Sequence, residues 1–252
     1  MQWLIDLDGV VWKMDTPIEG SVDAIARLRS LGHELHFVTN NSSLSRDQYL
    51  EKLARLGIKA IREEIITSAM AAATLVRSGD RVLAIGERGL LEELEAVGAE
   101  LVVPNSLEDA EGVDCVVLGW YRQFSYSDMS NACVAIRSGA RFIATNADPT
   151  YPLERLVVPG TGALVASVAT ATGAQPIVAG KPEDPMVKLL KPLLTADTIM
   201  VGDRLSTDGR FAARLGVDFG LVSSGIREEH DPGIPVSLHA ASLAAVVEMR
   251  IG

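Results

Sequence analysis

Short, unbroken apolar runs recur along this chain, each ending in small or polar residues: Trp3-Leu4-Ile5, Leu35-His36-Phe37-Val38, Val82-Leu83-Ala84-Ile85, Cys115-Val116-Val117-Leu118, Phe142-Ile143-Ala144 and Thr198-Ile199-Met200-Val201. A strand with no polar alternation is apolar on both faces, which suits a parallel sheet covered on either side. Between these runs lie segments of helical period: Val22 to Leu31, Arg46 to Leu56, Glu64 to Arg77, Leu90 to Val97, Ser127 to Arg137, Met186 to Leu194 and Thr207 to Leu215. Gly32, Gly57, Gly98, Gly139 and Gly216 stand near the ends of such segments, where a left-handed residue closes a helix. The alternation predicts an α/β fold with helices on both faces of the sheet.

Two loop-like breaks, Arg77-Ser78-Gly79-Asp80 and Thr172-Gly173-Ala174-Gln175-Pro176, flank a self-contained α/β stretch. They predict that residues 1–78 and 177–252 join into one core, with residues 79–176 inserted as a lid. A length of 252 residues allows one large domain or two modest ones, and a hydrophobic fraction of 48% excludes disorder. The net charge of −10 argues against nucleic acid and anionic membrane as partners. The N-terminus has no basic lead, and the low-charge stretch Val157 to Val178 is interrupted by Pro159, Gly160, Gly162, Gly173 and Pro176, so neither a signal peptide nor a membrane span is expected. Cys115 and Cys133 fit neither a disulfide framework nor a zinc pattern and suit a reducing compartment, so the expected location is cytoplasmic.

Ligands of open α/β sheets bind beyond the carboxyl ends of the strands. Here those ends deliver Asp6-Leu7-Asp8-Gly9, Thr39-Asn40-Asn41-Ser42, Gly180-Lys181-Pro182, and Gly202-Asp203 followed by Thr207-Asp208. Clustered carboxylates repel one another unless a cation joins them, and oxygen ligands without histidine or cysteine suit a hard ion such as Mg²⁺. Asp6, Asp8 and Asp203 are the metal candidates. A cation, Lys181 and the donors of Thr39 and Asn40 would surround an anion in the way phosphoryl transfer requires. Of the two early carboxylates, one can attack phosphorus and the other can pass a proton to the leaving oxygen. Gly9 permits the bend that follows them. His33, His36, His230 and His239 lack metal-ligand spacing and are expected on the surface or in packing. Trp120, Tyr121, Phe124 and Tyr126 suit a dimer contact slightly better than a substrate contact.

Asp6-Leu7-Asp8-Gly9-Val10 resembles the first motif of the haloacid dehalogenase-like phosphatases, and Thr39, Lys181 and Gly202-Asp203 with Asp208 match the other three in order. Val38-Thr39-Asn40-Asn41-Ser42, Ala144-Thr145-Asn146-Ala147-Asp148 and Pro159-Gly160-Thr161-Gly162 are similar to the subgroup of NagD-type nucleotidases, p-nitrophenyl phosphatases and phosphoglycolate phosphatases. The resemblance covers essentially the whole chain. It implies a Rossmann-like, doubly wound parallel core with an α/β cap inserted between the second and third motifs. It further implies Asp6 as a nucleophile that becomes an aspartyl-phosphate and Asp8 as general acid and then base. Mg²⁺ would be held by the Asp6 carboxylate, the Asp8 backbone carbonyl and the Asp203 carboxylate, with Asp208 in support. Thr39, Asn40, Asn41 and Lys181 would bind phosphate, and Asn146 and Asp148 of the cap resemble residues that reach the substrate. Relatives often form a homodimer through the cap. Gly209 and Ala147 depart from the pattern, which more often has a bulky aliphatic and a proline there, but neither removes a reacting group.

The resulting expectation is a Mg²⁺-dependent phosphomonoester hydrolase of small phosphorylated metabolites. A phosphomutase, or a silent phosphate-binding regulatory protein, is the alternative. A phospho-acceptor receiver domain fails on order, because receivers place the acidic pair and the acceptor on different strands.

Overall fold

The computed structural model describes residues 1–152, 156–226, 228–229 and 231–252, so His230 lies outside the described residues. Its contacts divide the chain into two units, one of Met1–Thr39, Arg46–Ile66 and Lys181–Gly252 and one of Asn40–Ser45 and Thr67–Gly180.

In chain order the elements begin with β1 (Gln2–Ile5), β2 (Trp12–Lys13), β3 (Thr16–Pro17), α1 (Ser21–Ser30), β4 (Glu34–Thr39), α2 (Arg46–Arg55) and β5 (Ile65–Thr67). There follow α3 (Ser68–Ala73), β6 (Arg81–Ile85), α4 (Arg88–Ala96), β7 (Glu100–Leu101), β8 (Cys115–Leu118), α5 (Tyr126–Arg137) and β9 (Arg141–Ala144). Next come β10 (Thr150–Pro152), β11 (Val157–Pro159), α6 (Thr161–Thr172), β12 (Ile177–Val178) and α7 (Asp184–Leu190). The chain closes with β13 (Thr198–Gly202), α8 (Arg210–Leu215), β14 (Asp218–Val222), β15 (Leu238–Ala240) and α9 (Leu243–Ile251).

The first unit is built on a sheet of order β15-β14-β13-β1-β4-β5. The expected runs form its centre: β1 is buried throughout and pairs in parallel with β13 on one side and β4 on the other. Ile5 stands opposite both Val201 and Phe37. This register matters for chemistry, because the residues after β1 and β13 and the last residue of β4 then emerge side by side at one edge of the sheet. The ladder continues one step beyond β1, where the Asp6 N–H donates to Val201 O at 2.9 Å. After Asp8 the chain reverses through Gly9, whose φ of +88° falls in the left-handed region, into the β2–β3 hairpin.

The second unit has its own parallel sheet, β12-β9-β8-β6-β7, and an antiparallel β10–β11 hairpin. Its core joins Val116, Leu118, Phe142 and Ile85 of the sheet to Ala132 and Ala135 of α5 and Val165 and Val168 of α6. Cys115 is buried there, and burial pushes its thiol up to about 11, so it packs as an apolar residue. No helix among the described residues is long and apolar enough to cross a membrane.

The expected strands form with small changes at their ends, and all five closing glycines have positive φ. The expected helix Glu64 to Arg77 is corrected. Its start is the strand β5, since the β-branched Ile65-Ile66-Thr67 run joins the first sheet, and α3 begins only at Ser68, where Thr67 Oγ1 accepts the Met70 N–H at 3.3 Å. The expected helix Thr207 to Leu215 opens instead as a wider π-type turn over Leu205–Gly209, followed by α8.

Candidate active site

Four charged side chains from three places in the chain meet in the interior of the first unit. Asp6 follows β1, Asp203 follows β13, Asp208 sits in the π-type turn and Lys181 opens the segment that leads to α7. All four are almost fully buried. The Lys181 ammonium donates to Asp6 Oδ1 at 2.6 Å, to Asp208 Oδ1 at 2.7 Å and to Val38 O at 2.8 Å, an acceptor for each of its three N–H groups. Burial penalises this ammonium, but the Asp208 and Asp6 carboxylates outweigh the penalty and hold it above the ordinary lysine value.

Lys181 is bonded to two of the three carboxylates, and the third, Asp203, feels it and Arg204 only through space, so negative charge is in excess. Burial raises Asp6 well above the usual carboxylate range; Lys181 opposes the rise, and the charges of Asp208 and Asp203 add to it. Asp203 is pushed up to about 7 by burial and then by Asp208, partly offset by the Ile226 N–H that its Oδ2 accepts at 2.6 Å. Oxygens of Asp6, Asp203 and Asp208 lie within 4.8 Å of one another, spacing that a single ion can bridge. An all-oxygen, buried, anionic set of this kind fits Mg²⁺. Asp208 has both oxygens engaged, Oδ1 by Lys181 and Oδ2 by the Arg204 N–H at 3.2 Å, as befits a carboxylate that holds the lysine.

Glycines make this approach sterically feasible. A Cβ on Gly225 would stand 1.9 Å from Asp203 Oδ2, and one on Gly202 would stand 2.3 Å from Asp208 Cβ. Asp8 is half-buried and its Oδ1 accepts the Trp12 indole N–H at 3.0 Å. Thr39 is the buried last residue of β4.

The remaining expected site residues fall in the second unit. Asn40 and Asn41 open the segment Asn40–Ser45, which is tied into that unit by several bonds. Asn146 Nδ2 donates to Asn40 O at 2.7 Å, Ser68 Oγ donates to the same oxygen at 2.6 Å, and the Gly89 N–H donates to Ser43 O at 3.0 Å. Asn41 Oδ1 accepts from Ser43 N at 3.0 Å and Ser43 Oγ at 2.7 Å, an Asx turn. Asn146 is buried, and its Oδ1 accepts the Asp148 N–H at 3.1 Å, while Asn40 Nδ2 reaches Asp148 Oδ2 at 3.4 Å. Asn146 and Asp148 therefore brace this segment by direct bonds. Sequence reasoning missed Trp12, Ser68 and Ser43; of these only Trp12, close behind the Asp6–Gly9 motif, carried a local signal.

Among the histidines, His36 is buried with Nε2 3.0 Å from Glu34 Oε1, and His239 lies against Ser223 Oγ at 3.0 Å, each away from the carboxylate cluster. Trp120 packs on Tyr151 with ring centroids 4.8 Å apart, while Tyr126 is exposed.

Comparison with known proteins gives this arrangement a context. The family profile described as haloacid dehalogenase-like hydrolase matches residues 3–100, and a second, described as HAD-hydrolase-like, matches residues 178–245. The chain is 39% identical over 235 residues to D-glycerol 3-phosphate phosphatase of Mycobacterium tuberculosis, an alignment covering 90% of this chain but 64% of that protein's length. It is 36% identical to 5'-nucleotidase YutF of Bacillus subtilis, covering 90% of this chain and 89% of the relative. The crystal structure of a glycerol phosphate phosphatase from Mycobacterium tuberculosis in complex with magnesium superposes with a TM-score of 0.88 at 36% identity, covering 97% of this chain and 75% of that one.

Proposed function

The chain belongs to the haloacid dehalogenase-like hydrolases, in the subgroup of NagD and the p-nitrophenyl phosphatases, and from that premise we propose how its residues divide the work and which ester it takes. It is a Mg²⁺-dependent phosphomonoester hydrolase of small metabolites that works through an aspartyl-phosphate. The observation that carries the assignment of roles is the buried Lys181 ammonium bridging Asp6 and Asp208, with Asp203 beside them.

In this reading Asp6 is the nucleophile. A carboxylate oxygen of Asp6 attacks phosphorus, the bond from phosphorus to the alcohol oxygen breaks, and Asp8 gives its proton to that oxygen as the alcohol leaves. Asp8 then takes a proton from water, the water oxygen attacks phosphorus, and the bond to Asp6 breaks to release inorganic phosphate. Asp6, Asp203 and the Asp8 carbonyl would hold Mg²⁺, which when bound supplies positive charge that lets an anionic phosphoryl group approach the carboxylates. Lys181 stabilises the charge on Asp6 and on the phosphoryl oxygens, Asp208 fixes Lys181, and Thr39, Asn40 and Asn41 donate to phosphate.

The name of the Mycobacterium relative makes a phosphorylated polyol the first substrate to test, and that of the Bacillus relative makes a nucleoside monophosphate the second. An excess of acidic side chains that gives a net charge of −10 supports a small ester over a polyanionic macromolecule. The paired-sheet unit of Thr67–Gly180 would act as the specificity cap and as the contact for a homodimer, a reading supported by its exposed Val103 and Tyr126. The test is kcat/KM for phosphate release from glycerol phosphate, nucleoside monophosphates, sugar phosphates and phosphoglycolate, with and without Mg²⁺. A metal-dependent preference for the polyol ester is expected. Conversion of an ester to its positional isomer without phosphate release would replace this reading with a mutase.

A further inference from the structure

The β2–β3 hairpin follows directly on the Asp6–Gly9 motif, and its first residue, Trp12, is bound to that motif by backbone and side chain together. The Gly9 N–H donates to Trp12 O at 2.7 Å, and the Trp12 N–H donates to Leu7 O at 3.2 Å. Trp12 is fully buried, and its indole N–H donates to Asp8 Oδ1 at 3.0 Å. An indole nitrogen is a donor only, so the oxygen it meets must act as acceptor in either protonation state of the carboxyl. The carbonyl-type oxygen is the better acceptor of a protonated carboxyl, so this bond favours Oδ1 in that role and the proton on Oδ2.

The ring is itself held. Lys52 Nζ stands 4.4 Å from the centroid of the Trp12 ring and 3.4 Å from Asp15 Oδ1, and it also donates to Met14 O, so the cation of α2 grips the hairpin and the indole face at once. Met14 is the one non-glycine residue with positive φ among the described residues, at +53°, a conformation this grip offsets. A buried indole N–H gains from any acceptor, and the acceptor it meets here is an oxygen of the proton-transferring carboxyl itself.

We propose that Trp12 is a positioning residue that orients the carboxyl of Asp8 and selects Oδ2 as the oxygen through which the proton passes. Oδ2–H gives its proton to the departing alkoxide oxygen as the phosphorus–oxygen bond breaks, and Oδ2 then receives a proton from the water that attacks the phosphorylated Asp6. The inference rests on the reading of Asp8 as the proton-transferring group.

The test compares two esters in one assay. Removal of the N–H by Trp12→Phe is expected to lower kcat/KM for an alkyl phosphate, whose alkoxide cannot leave without a proton, by about 10²-fold, in the range of a general-acid contribution. For p-nitrophenyl phosphate, whose leaving group departs as an anion, kcat/KM is expected to change by less than about 3-fold, because proton donation contributes little there. Site-specific replacement of Trp12 by β-(3-benzothienyl)alanine keeps the bicyclic shape and substitutes sulfur for N–H, so it decides the matter if Trp12→Phe does not fold. Equal losses for the two esters, or none for either, would overturn the proposal. A wild-type chain that releases phosphate from neither ester would sink the phosphatase reading first, and this inference with it.

Discussion

Asp203→Asn makes the electrostatic frustration of the site measurable as stability. Burial and the neighbouring Asp208 push the Asp203 carboxyl from an ordinary 3.8 up to about 7. The folded chain therefore holds this proton more tightly than the unfolded chain, and between those two values the folded state binds the extra proton. Unfolding free energy then falls as pH rises through that window and levels off above it. At about 1.4 kcal/mol per pH unit the loss across the window is on the order of 4 kcal/mol for metal-free protein. An asparagine cannot ionise, and its amide oxygen can still accept the Ile226 N–H, so the variant escapes the loss. We expect metal-free Asp203→Asn to match the wild type near pH 4 and to exceed it by about 2–4 kcal/mol at pH 7.5, the lower figure allowing for one amide N–H without an acceptor. For a chain of this length that is roughly 5–15 °C in Tm. The assay is thermal and urea unfolding in EDTA from pH 4 to 8, read as variant minus wild type so that groups common to both cancel. Mg²⁺ should stabilise the wild type increasingly as pH rises and leave the variant unmoved. A variant that is less stable than the wild type at pH 7.5 without metal, or a difference that does not grow with pH, would refute the reasoning.

Lys181→Met removes the cation bonded to both Asp6 and Asp208 and leaves those two carboxylates buried without it; we expect a loss of about 3–5 kcal/mol in metal-free stability by denaturant titration and a fall of about 10²–10³ in kcat. Gly225→Ala sets a Cβ where Asp203 Oδ2 lies 1.9 Å away, so Asp203 must move, and the Mg²⁺ concentration for half-maximal rate should rise more than about tenfold, a coordination-shell effect. Gly32→Ala is the matched control: nothing lies within 4 Å of its Cβ and its φ is +73°, so it should cost only about 1–2 kcal/mol of stability and leave the Mg²⁺ response unchanged.

The sheet of the first unit was readable because its strands are buried on both faces and announce themselves as unbroken apolar runs; β1, β4 and β13 also carry their reactive residues at the ends where such sheets bind ligands. Asp6, Asp203, Asp208 and Lys181 converge for that reason. Elsewhere the signal was absent or belonged to distant partners. The strands β2 and β3 have two residues each, too few to show a period, so the hairpin that carries Trp12 could not be foreseen from pattern. Helix α6 mixes Ala, Val, Thr and Gly around its circumference and shows no polar face, so its period gave no helical signal. Ile65-Ile66-Thr67 was absorbed into a helical segment because a short β-branched run takes its state from the sheet edge it joins. Asn40 belongs with Asn146 through a bond that spans 106 residues, which no local pattern encodes.

The central claim is that phosphate passes through a covalent bond to Asp6. Acid quenching of the enzyme during turnover of a ³²P-labelled ester in Mg²⁺, followed by peptide mapping, tests it most directly. The account predicts an acid-stable, hydroxylamine-sensitive label on the peptide that contains Asp6, absent when EDTA replaces Mg²⁺ and absent in Asp6→Asn, which should release no phosphate. Label on another residue, or continued turnover by Asp6→Asn, would contradict it.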